Sequence, residues 1–110
     1  MNLTNLPVYV LLPLLAAAAF VQNMAFTAVS RSRNSADVSY HRRCSWASNG
    51  VWFFVQVLLY GAVWNSLTQG AFWKIALTGI VYIAATTEGS AFMMARMLKR
   101  ETGKRQVGAR

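Results

Sequence analysis

Three charge-poor apolar runs, separated by one basic polar stretch and one short polar turn, set the layout of this sequence. The first run, residues 7–29 (PVYVLLPLLAAAAFVQNMAFTAV), would be about 35 Å long as a helix, enough to cross a hydrocarbon core of roughly 30 Å. Residues 47–69 form the second, centred on VWFFVQVLLYGAVW, and residues 72–97 the third, with Lys74 and Arg96 at its borders. NSLTQG, residues 65–70, reads as a turn too short to hold a soluble domain. Residues 30–50, SRSRNSADVSYHRRCSWASNG, form an island in which Arg31, Arg33, Arg42 and Arg43 stand against one acid, Asp37. This pattern predicts an all-α integral membrane protein, a single membrane domain over residues 1–110. It has transmembrane helices at about 7–29, 47–69 and 72–97, a basic loop at 30–46 and a basic tail at 98–110.

Composition narrows the class. A 110-residue chain that is 55% hydrophobic and 13% charged carries more apolar surface than a soluble fold of this size can bury. The net charge of +8 is concentrated in the island and in the tail, where Arg96, Lys99, Arg100, Lys104, Arg105 and Arg110 oppose Glu101. Short cytoplasmic segments carry the Lys/Arg excess of membrane proteins, which predicts an N-out, C-in chain with island and tail on the cytoplasmic side. Because these cations lie at membrane borders, anionic lipid headgroups are the expected partners of Arg31, Arg33, Arg42, Arg43, Arg96, Lys99, Arg100, Lys104 and Arg105, and no nucleic acid is expected. Trp46 and Trp64, about 27 Å apart along a helix, suit the two interfacial aromatic belts. The N-terminus lacks a basic segment before its apolar run, so the first helix is read as retained.

Catalytic chemistry has little to stand on. Cys44 is the only cysteine and His41 the only histidine, the latter beside Arg42 and Arg43, so neither a cysteine zinc site nor a Ser/His/Asp set can be assembled. Gly50, Gly61, Gly70 and Gly79 are scattered and make no phosphate loop. The reading is of a protein that is not an enzyme and takes no metal or cofactor.

The informative residues are the polar ones inside the apolar runs. Gln22, Asn23 and Gln56 are amides that in lipid turn toward a neighbouring helix, where a hydrogen bond contributes about 0.6–2 kcal/mol. Thr78, Tyr82, Thr86, Gly89 and Ser90 share one face of the third helix, which either packs or lines water. Small residues four apart, Ala85 with Gly89 and Ala91 with Ala95, allow close helix contact. Glu88 lies eight positions before Arg96, roughly 12 Å into the bilayer, where an ionisable group costs about 2.5–3.5 kcal/mol or more and should face protein or water. It falls with Ala84, Ala91 and Ala95. Two roles stay open for it: a pore-lining or gating carboxylate, or an ion pair with Arg31, Arg33 or another island cation.

Three crossings, N-out and C-in, with a short basic tail and no enzyme motif, resemble the layout of lambda-type phage holins. The pair SRSRNS and SNGVWFF is also similar to small membrane proteins encoded by tailed phages. The chain departs from holins in that MNLTNLPVYV has no cation. The resemblance implies self-assembly and permeabilisation of the bacterial inner membrane. Three helices of one chain cannot enclose an aqueous path, so a pore requires a homo-oligomer, with the small-residue faces of the first and third helices as contacts and Gln22, Asn23, Gln56 and Glu88 directed inward. Two other readings remain: an adaptor or superinfection-exclusion factor bound to a host membrane protein, and a small ion-channel or transporter subunit.

Overall fold

The computed structural model describes residues 6–103, and it is all-helical. Helix α1 spans Val8–Ser32, α2 Val38–Thr68 and α3 Phe72–Glu101, each long and apolar enough to span a membrane. The bundle is a rod of 53 × 22 × 18 Å. Its long axis exceeds a hydrocarbon core of roughly 30 Å, so the helix ends extend past the apolar layer.

The helices outrun the apolar segments mainly at the island end. The expected loop at 30–46 is a turn of residues 33–37, because hydrophobicity marks the membrane border while hydrogen bonding decides where a helix stops. The Ser35 hydroxyl donates to the Ser32 carbonyl (2.7 Å), Ala36 takes the left-handed conformation (φ 60°), and the Asp37 carboxylate accepts from the Tyr40 amide (3.0 Å) as the cap of α2. From Val38 onward nothing in SYHRRCSWASN breaks a helix, so half of the island is the first turns of α2. At the same end α3 continues through Glu101 and stops before Gly103, which has φ 78°. Pro13 sits inside α1 without ending it. The hairpin between α2 and α3 turns at Gly70 (φ 69°), but the turn is shorter than the expected 65–70, because Asn65–Thr68 of NSLTQG form the last turn of α2.

Two sharp turns make α2 antiparallel to both neighbours, so α1 and α3 run in the same direction. Their contacts rise in step: Gln22 meets Tyr82, Thr27 meets Ser90, and Arg31 meets Glu101. The apolar core is Leu15 with Val55 and Leu58, flanked by Ala18, Val51, Leu59 and Tyr82. Gly89 makes the α1–α3 crossing possible: a Cβ there would stand 2.9 Å from the Phe20 carbonyl carbon and closer still to its oxygen.

Candidate functional site

The polar residues of the apolar runs divide into two sets. One forms a seam between α1 and α3. Gln22, buried in the bundle, donates from Nε2 to the Tyr82 hydroxyl (3.0 Å), while its Oε1 has no partner among the described residues. One turn and a half further along α1, Thr27 and Ser90 share a hydrogen bond of 2.9 Å. At the island end the Arg31 guanidinium makes a two-pronged ion pair with Glu101, its Nε 2.8 Å from Oε1. Gln22 and Ser90 thus each make a hydrogen bond from one helix to another. Thr78 and Thr86 do not: their hydroxyls donate back to carbonyls of α3, Lys74 for Thr78 and Tyr82 and Ile83 for Thr86. Of the shared face of α3, Tyr82, Gly89 and Ser90 meet α1.

The second set points away from the bundle. Glu88 is exposed, as are Ala84, Ala91 and Ala95 around it. Among the described residues it has no hydrogen bond and no ion pair, and the expected pairing with Arg31 or Arg33 is replaced by Arg31–Glu101. The reason is reach: Glu101 lies level with Arg31 at the end of α3, while Glu88 is more than three turns back and about 100° around the helix from Gly89, the residue that meets α1. The small-residue strip that α1 uses is the one at Gly89, so the strip at Ala84, Ala91 and Ala95 is left open. Gln56 also faces outward, half-exposed in a shallow depression of about 480 Å³ with Trp52, Phe53 and Tyr60 along its rim. Neither Gln56 nor the half-buried Asn23 has a hydrogen-bond partner among the described residues.

The cations sort in the same way. Arg33, Arg42, Arg43, Arg96, Lys99 and Arg100 are exposed and collect at the island end. Arg31 leaves that group, because its charge is taken up by Glu101. Lys104 and Arg105 lie outside the described residues. Arg96 also lies over the Phe92 ring at 5.6 Å, and Lys74, at the hairpin end, over Trp73 at 5.6 Å. Tyr9, Trp64, Phe72 and Trp73 are exposed at the hairpin end and Trp46 at the other, as two aromatic belts require.

Sequence reasoning did not find the role of His41. Its Nδ1 is 2.7 Å from the Ser32 hydroxyl, which donates to the Val29 carbonyl, so the imidazole N–H donates to Ser32 and ties α2 to the end of α1. The contact crosses a turn that hydrophobicity does not register. Glu101 was likewise read only as a tail acid.

No protein-family model, curated protein or solved structure matches this chain. What fold and site define together is a three-helix protein whose helices are long and apolar enough to span a membrane, with a polar seam inside that leaves Gln22 Oε1 unpaired and the Glu88 carboxyl exposed outside.

Proposed function

We propose that the protein is a holin-like pore former of the bacterial inner membrane, active as a homo-oligomer. The observation that carries this reading is Glu88, exposed on α3 at membrane depth with no partner among the described residues of its own chain. Left toward lipid, such a group is costly, and a neighbouring subunit or an aqueous path between subunits removes that cost. One chain has no lumen, so water reaches Glu88 where copies meet. The chain enters N-out and ends C-in, with Arg33, Arg42, Arg43, Arg96, Lys99 and Arg100 on anionic headgroups of the cytoplasmic leaflet.

The same carboxyl favours one other reading, an adaptor or exclusion factor whose Glu88 pairs with a cation in a host protein's membrane helix. A small channel or transporter subunit would differ from a holin in conducting selectively. Induced expression in a bacterial host, with membrane potential and viability followed in wild type beside Glu88→Gln, tests these readings. Abrupt depolarisation by the wild type, lost in the variant, is expected. A polarised, growing culture with the protein present in the membrane would sink the autonomous pore and leave the adaptor. Depolarisation by one ion species alone, with that preference lost in the variant, would favour the channel.

A further inference from the structure

The outward faces of α2 and α3 differ in a complementary way, and resting on the oligomer reading, we infer that the α2 depression of one copy receives Glu88 of the next. The α3 face is mostly small: Ala84, Ala91 and Ala95 lie about one carboxyl, with the exposed Phe92 at its edge toward α1. The α2 face is bulky, with Trp52, Phe53 and Tyr60 exposed around Gln56. Small against large is the combination that lets two helices seat closely. The chemistry matches as well. The Trp52 indole N–H is a donor only and the Gln56 amide supplies two more, while a carboxylate needs donors.

Depth is shared too. Leu15 clusters with Val55 and Leu58 on α2, and Tyr82 on α3 packs against that cluster, so Tyr82 stands near the level of those two α2 residues. Six residues on, about 9 Å toward the island end, is Glu88; the same step back along antiparallel α2 reaches the neighbourhood of Trp52, with Gln56 about one turn further out. Helical side chains lean toward their own N-terminus, and since α2 and α3 run in opposite directions, Gln56 and Glu88 lean toward each other. All copies carry the same topogenic charges and insert the same way up, so a level match within one chain holds between chains. Because donor face and acceptor face are different surfaces, the contact is head-to-tail and repeats from copy to copy, closing into a ring when the rotation allows.

Cross-linking tests this contact separately from conduction. In a Cys44→Ser background, copies carrying Ala84→Cys are co-expressed with tagged copies carrying Phe53→Cys, both at exposed positions at nearly the same level, and oxidised in the membrane. A mixed disulfide between the two kinds of copy is expected. It should persist when the Ala84→Cys copy also carries Glu88→Gln, which keeps hydrogen bonding, and fall several-fold with Glu88→Leu, which does not. Disulfides only between two Ala84→Cys copies, no disulfide at all, or no loss with Glu88→Leu would each overturn the contact. A mixed disulfide between the cysteine variants, beside a wild type that fails to depolarise cells, would instead keep the contact and remove the pore.

Discussion

Gly89 and Gln22 show how little freedom the α1–α3 seam has. Gly89 lies against the Phe20 backbone, which a flexible side chain could vacate but a carbonyl cannot. Gly89→Ala is therefore expected to force the helices apart and to cost about 1–3 kcal/mol, read as a lower denaturation midpoint in detergent, whereas Gly79→Ala, with nothing within 4 Å of its added Cβ, should leave that midpoint unchanged or slightly raised. Gln22 makes one hydrogen bond and leaves Oε1 unpaired, so its net contribution sits at the low end of the membrane range. It fixes which face of α1 meets Tyr82 more than it adds stability. The sequence marked Gln22 and Glu88 alike as polar residues in apolar runs. Only packing separated them, because that depends on which strip of α3 the first helix occupies.

At the scale of the elements, the turn at 33–37 does the work that a loop was expected to do. Its hydrogen bonds, Ser35 to Ser32 and Asp37 to Tyr40, replace the carbonyl and amide partners lost where α1 ends and α2 begins. Asp37→Ala removes the cap and is expected to cost about 1 kcal/mol of bundle stability in thermal unfolding, while Asp37→Asn, an equally good cap without charge, should cost less. Equal losses from both would assign the effect to the charge of Asp37 instead. The ends of α1 and α3 are held by Arg31 and Glu101, two residues that sequence assigned to separate segments. They are 70 positions apart, and only the parallel course of α1 and α3 makes them neighbours.

Across the whole molecule, charge is the one-sided property. Among the described residues the exposed cations gather at the island end, so the side of the membrane that end occupies is the largest single consequence of the sequence. Cys44, a free thiol and the only cysteine, lies in that half of α2 and reports it without engineering. A membrane-impermeant maleimide is expected to leave Cys44 unlabelled in intact cells and to label it in inverted vesicles. Labelling from outside would reverse the N-out, C-in reading and place the basic end in the periplasm.

The sequence by itself determined three membrane-length helices and a tight break near Gly70, because each depends on local chemistry: the transfer of side chains between lipid and water, and a glycine where the chain reverses. It also marked Gln22, Ser90 and Glu88 as residues needing partners, since a polar group in an apolar run is visible wherever it points. Tertiary structure alone decided the pairings: Gln22 with Tyr82, Thr27 with Ser90, His41 with Ser32, Arg31 with Glu101, and none within the described chain for Glu88. Those depend on the rotation of each helix about its axis, which the low backbone clearance at Gly89 fixes and which periodicity leaves open, because α3 carries small residues on two of its faces and only one can meet Phe20.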